Sequence, residues 1–325
     1  MKYYNEGEPQ NKKKKFRLFN LNKDGKGVYE NEDRTPNLKF FFKLLWRKFS
    51  AILQVNLLML IHIIPVVALV FVFFMGEKTP TITNTAFPAL YGINFIGNTS
   101  SAPVLDVTSI NMGIPVFSPT TNIIIICVAI VWILTFGWQC VGSTYVIRGL
   151  FRGDPIFVFS DYFYGIKRNF KQGFLMGIID VLVLGVLLVD LSFFASNGGF
   201  MYYVIIAIMF LYLIMRFYTY LMLITFELKT IKIIKNALIF TALGIKRNLM
   251  AVLGIAVLMA LNFFLVIWLV PSGIALPLLL PLLYLMGTLS FITTYAAYPV
   301  IDKYMIAPYA KENKEENNQN EEITE

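Results

Sequence analysis

The chain has 325 residues, of which 57% are hydrophobic and 15% charged, and its formal net charge is +8. Several apolar runs exceed the roughly eighteen residues that a helix needs to cross a bilayer, which excludes a soluble protein. Both cysteines, Cys127 and Cys140, fall in one such run, and along a single helix they are too far apart for a disulfide.

The chain begins with a polar, basic tail over residues 1–36, which we predict to be cytoplasmic. Apolar residues then recur at helical spacing from Leu38 to Phe49, with three basic residues on the opposite side. This pattern predicts an amphipathic helix that lies on the membrane surface before the chain enters the bilayer. Two further surface helices are predicted, one within residues 148–173 and one that begins near Lys229.

The predicted fold class is an all-α membrane protein with six transmembrane helices and amphipathic cytoplasmic surface helices. Residues 37–307 form its membrane domain, and the Thr-, Ser- and Asn-rich segment 77–121 is predicted to be extracytoplasmic. Residues 308–325 are acidic and without apolar periodicity, which is typical of a disordered tail. The predicted spans are residues 49–75, 122–147, 174–195, 200–226, 249–270 and 274–300.

The stretch between spans two and three, RGLFRGDPIFVFSDYFYGIKRNFKQG, mixes basic and aromatic residues. Such a mixture is typical of a helix at the cytoplasmic membrane surface, where rings face lipid and cations meet anionic lipid headgroups. Asp161 is expected to cap this helix or to pair with a nearby cation. The candidate residues of this surface motif are Arg148, Arg152, Asp161, Lys167, Arg168, Asn169 and Lys171.

This stretch also carries a family resemblance. The arginines at 148 and 152 with Gly153-Asp154, then Phe159-Ser-Asp-Tyr-Phe163, then Lys167-Arg-Asn-Phe-Lys-Gln-Gly173, resemble the YesL-like family of bacterial membrane proteins. The resemblance extends over residues 19–307, although the long segment after span one departs from the family pattern. It implies an accessory role in carbohydrate uptake or utilisation, and no established biochemical activity.

The pentapeptide Gly-Ile-Lys-Arg-Asn occurs twice, at residues 165–169 and 244–248, each time just before an apolar run. One explanation is a parallel duplication of a span, surface helix and span unit. The other is that both sites need the same basic residues where a helix enters the membrane. The sequence leaves both explanations open.

Basic residues indicate the orientation of the spans. Of the 28 lysines and arginines, all but Lys78 and Arg216 fall in segments that six spans place on one side. Because such residues accumulate on the cytoplasmic side, we predict a multi-pass protein of the cell membrane with both termini in the cytoplasm.

Arg216 lies inside span four, where an unpaired cation is costly, so it needs an acidic or polar partner. The short turn at residues 196–199 makes spans three and four antiparallel neighbours, and this register puts Asp180 opposite Arg216. Such an ion pair either joins the hairpin or belongs to a polar pocket with His62 and Gln139. A lone histidine within a span, as His62 is, serves as a proton relay or a ligand contact or, more often, as a helix-facing donor bonded to a neighbouring carbonyl.

We predict no catalytic residue, no metal site, no cofactor and no nucleic-acid partner, because the sequence lacks the corresponding clusters and loops. The expected function is a non-enzymatic accessory or regulatory one, with a membrane transporter as its partner. Two alternatives are a permease subunit of a solute transporter and a structural scaffold. The segment after span four, KTIKIIKNALIFTALGIKRN, lacks the Glu-Ala-Ala loop of importer permeases.

Cysteine labelling tests the predicted topology. A cysteine introduced at Thr99 should react with a membrane-impermeant maleimide in intact cells, because residues 77–121 are predicted to be outside. A cysteine introduced at Ser160 should react only after the cells are opened. Labelling of Ser160→Cys in intact cells would contradict the six-span orientation.

Overall fold

A computed structural model describes residues 35–75, 78–80, 113–115, 118–269 and 276–309. The predicted disorder of the C-terminal tail and the predicted cytoplasmic N-terminal tail therefore lie almost wholly outside the described residues. The same holds for residues 81–112 of the segment predicted to be extracytoplasmic.

The described residues are almost entirely helical, and six helices are long and apolar enough to cross a membrane, as predicted. These six are α1, α2, α4, α5, α7 and α8, and they define a multi-pass membrane protein. The remaining helices are the short α3 and α6. The bounds are α1 Leu38–Met75, α2 Pro119–Arg152, α3 Val158–Arg168, α4 Phe170–Asn197, α5 Phe200–Thr225, α6 Thr230–Leu243, α7 Ile245–Leu269 and α8 Leu276–Ile301.

Two three-residue strands pair antiparallel between α1 and α2. They are β1, Lys78–Pro80, and β2, Gly113–Pro115, with Thr79 opposite Ile114. After α8 the chain continues as one π-helical turn, Asp302–Ile306.

The predicted surface helix before span one is wrong, because α1 is one continuous helix of 38 residues. Asn37 caps its start, where the side-chain oxygen accepts a hydrogen bond from the Phe40 amide at 2.8 Å. Pro65 is the only proline in α1 and does not interrupt it. At about 1.5 Å per residue α1 is about 57 Å long, which exceeds the roughly 30 Å of a hydrocarbon core, so α1 must extend beyond it or tilt.

The turn between α4 and α5 consists of two glycines. Gly198 and Gly199 have φ angles of 68° and 93°, a region that favours glycine, and the chain reverses within them. Because the turn is this short, it fixes which residues of α4 face which residues of α5.

Packing is concentrated at one end of the bundle, which we name the basic end. It comprises the start of α1, α4 and α7, the finish of α2, α5 and α8, and the short helices α3 and α6. In α5, Tyr218–Ile224 are all buried, whereas no residue from Phe200 to Phe217 is. Spans α2 and α8 are the central helices, since each contacts α1 and α5 as well as the other.

Glycines bring α2 and α4 into close contact. A Cβ atom added to Gly137 on α2 would lie 2.7 Å from the Cα of Gly177 on α4 and would also collide with the Gly173 carbonyl. Gly173 and Gly177 are four residues apart and form the small-xxx-small pattern by which membrane helices approach closely.

We expect Gly177→Val to separate α2 from α4 and to destabilise the protein by about 1–3 kcal/mol, as overpacking does. The matched control is Gly185→Val on the same helix, because a Cβ added at Gly185 meets nothing within 4 Å. Thermal denaturation in detergent measures both. Equal stability of the two variants would show that the glycine contact does not determine helix packing.

Candidate intramembrane site

The most polar group inside the spans is a cluster around Asp180 of α4. Its carboxylate accepts hydrogen bonds from Arg216 Nε at 2.9 Å, from the Tyr220 hydroxyl at 2.8 Å and from the Tyr212 hydroxyl at 2.7 Å. The ion pair that the hairpin register predicts is therefore present. The arginine and both tyrosines come from α5 at intervals of four residues, which places them on one face of that helix.

The two charges of this pair differ in exposure. The Asp180 side chain is 3% exposed, whereas 25% of the Arg216 side chain stays open. The guanidinium also lies over the Phe136 ring of α2, 5.6 Å from its centre. Asp180 thus has three donors and almost no accessible surface, while Arg216 contacts it through Nε.

Arg216 lines a central cavity of about 710 Å³ that is bounded by α1, α2, α5, α7 and α8. His62 and Gln139 lie on the wall of the same cavity, so the structure brings together the predicted pocket residues and Arg216. Asp180 does not line the cavity, and it binds Arg216 from the side of α4. The other wall side chains that carry a polar atom are Trp132, whose Nε1 is buried without a partner among the described residues, and Cys140, Ser143, Thr144, Tyr220, Ser290, Thr293 and Thr294.

His62 bonds to a hydroxyl, not to the carbonyl that one interpretation of the sequence expected. Its Nδ1 lies 3.0 Å from the Thr135 hydroxyl oxygen, and its ring stacks on Trp132 with 5.6 Å between centroids. The Thr135 hydroxyl already donates to the Val131 carbonyl at 2.8 Å, so its oxygen accepts from Nδ1–H. His62 Nε2 is then an acceptor, and it is buried without a partner among the described residues.

Gln139 is buried, with 7% of its surface exposed. Its side-chain oxygen accepts only a weak bond from the Cys140 thiol at 3.8 Å. Its amide nitrogen donates to none of the residues that the structure describes. Gln139 lines the cavity and its amide nitrogen is not among the fully buried atoms, so this donor is open to the cavity, which makes Gln139 a candidate for ligand contact.

Arg148 was predicted to be a cation of the surface motif that faces lipid headgroups. That prediction is wrong, because Arg148 is buried against the end of α5. Its Nη1 donates to the Ile224 carbonyl and to the Thr225 hydroxyl, both at 3.0 Å. The last carbonyls of a helix lack intrahelical donors and carry partial negative charge, so a cation is stabilised there.

Asp161 caps α3, which is one of the two predicted alternatives. Its Oδ2 accepts from the Phe157 amide at 2.8 Å. Arg152, another cation of the surface motif, pairs with Asp154 at 3.5 Å, and both side chains are about half exposed. On the buried face of α3, desolvation raises the pKa of the Tyr162 hydroxyl well above its usual value.

The remaining cations of the motif border a groove of about 710 Å³ at the basic end. The groove lies between the α3–α4 junction and the segment that joins α5 to α6, and Gln172 Nε2 bonds to the Leu228 carbonyl across it at 2.5 Å. We name it the basic groove; its cations are Lys167, Arg168, Lys171 and Lys229, and Glu227 is its acidic residue.

The two Gly-Ile-Lys-Arg-Asn copies occupy different positions relative to the helix break. In the first, α3 ends at Arg168 and Asn169 follows; in the second, α6 ends before Gly244 and α7 begins at Ile245. Both asparagines nevertheless donate to a carbonyl of the short helix, Asn169 to Gly165 at 3.0 Å and Asn248 to Thr241 at 3.0 Å. In both copies the asparagine therefore links the short helix to the start of the following span, although the break between the two helices falls at a different residue of the pentapeptide.

No curated protein and no solved structure matches this chain. The bundle and its ion-paired spans define a multi-pass helical membrane protein. A family model described as "Protein of unknown function, DUF624" matches residues 109–191, less than half of the chain. The matched residues include α2, α3 and most of α4, so they contain Gln139, the surface motif and Asp180.

Sequence reasoning missed both tyrosines that bind Asp180. The available signal was the spacing of four residues on either side of Arg216, which puts Tyr212 and Tyr220 on the arginine's face of a helix. For metal ligands, the described part of the chain contains no group of three histidine, cysteine, aspartate or glutamate side chains able to hold an ion.

Asp180→Ala should lower the yield of folded protein sharply, because a buried arginine without its partner costs about 3–5 kcal/mol. Tyr220→Phe removes one bond to the same carboxylate and should cost about 1.5–3 kcal/mol. Size-exclusion chromatography and thermal denaturation in detergent measure both effects.

The exchange Asp180→Arg with Arg216→Asp should recover part of the loss caused by Asp180→Ala, since it restores opposite charges at the same two positions. Tolerance of Asp180→Ala, together with no recovery in the exchange variant, would show that the contact does not stabilise the bundle.

Proposed function

We propose that the protein is a non-enzymatic accessory or regulatory component of a carbohydrate uptake system, and that it binds a membrane transporter through its basic end. We place it in the cell membrane with both termini in the cytoplasm, where its cations also meet anionic lipid headgroups. The distribution of lysine and arginine along the chain supports this orientation. The carbohydrate connection rests on the resemblance of the surface motif alone.

The observation that carries a partner-binding role is the basic groove. Lys167, Arg168 and Lys171 are exposed around it. Its walls are fixed by bonds between elements, such as that of Gln172 to Leu228. A groove with an exposed basic rim is complementary to an acidic segment of a partner protein.

The central cavity favours a second candidate, a permease subunit that carries a solute through its own spans. Binding sites of transporters lie between helices within the membrane domain, and this cavity likewise lies between spanning helices. The third possibility, a scaffold, requires neither the groove nor the cavity.

Co-purification in mild detergent with mass spectrometry distinguishes these functions. The protein should recover subunits of a solute transporter, and Lys167→Glu with Lys171→Glu should reduce that recovery severalfold. The matched control is Lys232→Glu with Lys235→Glu, which makes the same change in charge on exposed residues of α6 outside the groove.

A cytoplasmic ATPase recovered in stoichiometric amounts would favour the permease instead. Recovery of no transporter, or equal loss in both double variants, would contradict a partner site at the basic groove.

A further inference from the structure

The walls of the central cavity are divided by polarity. Toward the basic end, α2, α5 and α8 contribute polar side chains, with Gln139, Arg216 and Thr294, beside apolar ones on α1 and α7 such as Met59 and Val252. Farther from the basic end, most side chains on the wall are apolar. Phe210 on α5 and Met286 on α8 are two of them, and six more belong to the same group. These are Ile63, Val66, Leu213, Ile214, Met259 and Leu289. A ligand that fills the whole cavity therefore needs a polar part and an apolar part.

The cavity has an opening between α5 and α7. These two helices make almost no contact with each other among the described residues. Phe210 and Met259 line the cavity from either side of this gap, and they are 48% and 44% exposed. Since both residues lie within apolar spans, the opening faces the bilayer, and an apolar chain can enter by this route.

The polar part of the cavity offers both donors and acceptors. The Gln139 amide nitrogen is a donor without a partner among the described residues. The hydroxyls of Ser143, Thr144 and Thr293 each donate to a backbone carbonyl, so their oxygens can still accept. A hydroxylated head group both donates and accepts, whereas a fully ionised phosphate or carboxylate only accepts.

The charge on the wall favours an uncharged head group. Within the described residues, Arg216 is the only charged side chain that lines the cavity, and Asp180 already neutralises it. An anionic head group would therefore bring an uncompensated negative charge between the spans, which is unfavourable.

We propose that the central cavity binds a membrane amphiphile with an uncharged, hydroxylated head group, such as a monoacylglycerol or a glycolipid. The head group lies at Gln139 and Arg216, and its apolar chain passes between Phe210 and Met259 toward the bilayer. This site belongs to the chain itself, so it stands or fails independently of any transporter bound at the basic groove.

Photo-crosslinking of the purified full-length protein in phosphatidylcholine nanodiscs tests the site. The probe is a monoacylglycerol with a diazirine in its acyl chain, and the matched probe is the phosphate ester of the same molecule. Peptide mapping should find saturable labelling by the monoacylglycerol at Phe210–Phe217 and Ile255–Met259. Saturation should need about tenfold less monoacylglycerol than phosphate ester, a factor that corresponds to about 1.4 kcal/mol.

Two variants and one competitor complete the test. Gln139→Leu should weaken saturable labelling by the monoacylglycerol severalfold, because it removes a donor to the head group, whereas Thr288→Val, a buried position on α8 outside the cavity, should leave that labelling unchanged. Free glycerol should not compete. Should Gln139→Leu fail to fold, the comparison of the two probes on the unchanged protein still tests whether the cavity prefers an uncharged head group.

Three results would overturn the proposal. Labelling that rises linearly with probe concentration would mean bulk lipid contact only. Equal or stronger labelling by the phosphate ester would contradict an uncharged head group. Displacement by glycerol would indicate a water-soluble polyol as the occupant instead of a membrane amphiphile.

Discussion

The bond between Asp180 and Arg216 is the constraint on which the centre of this bundle depends. Neither charge is stable alone inside apolar spans, so the short α4–α5 turn must hold the two helices in the register that brings the charges together. Tyr212 and Tyr220 complete the coordination of the carboxylate. The Asp180 carboxylate binds Arg216 without lining the cavity, so the arginine side chain remains partly exposed toward the cavity.

Close packing at the basic end leaves room elsewhere in the bundle. The glycine contact between α2 and α4, the cap of Arg148 on α5 and the short helices α3 and α6 all fix that end. The side chains of α5 before Tyr218 are not buried in the protein, and the central cavity lies partly along them. One end of the molecule is thus closely packed and exposes cations, while the other part of the bundle is more open.

These two regions offer different kinds of recognition. At the basic groove, the exposed cations are complementary to acidic surfaces and anionic headgroups. In the cavity, the neutralised arginine and the amide and hydroxyl groups suit a polar group without net charge. The two regions are separate, and α5 contributes residues to both.

The sequence by itself determined the six spans, the hairpin register and the Asp180–Arg216 pair, because each follows from local hydropathy or from a turn of fixed length. It did not determine that α1 is continuous, since amphipathic and apolar stretches can form one helix or two. Nor did it show that Arg148 is buried or that His62, Gln139 and Arg216 share one cavity. Those features depend on contacts between helices distant in the chain, which only the tertiary structure decides.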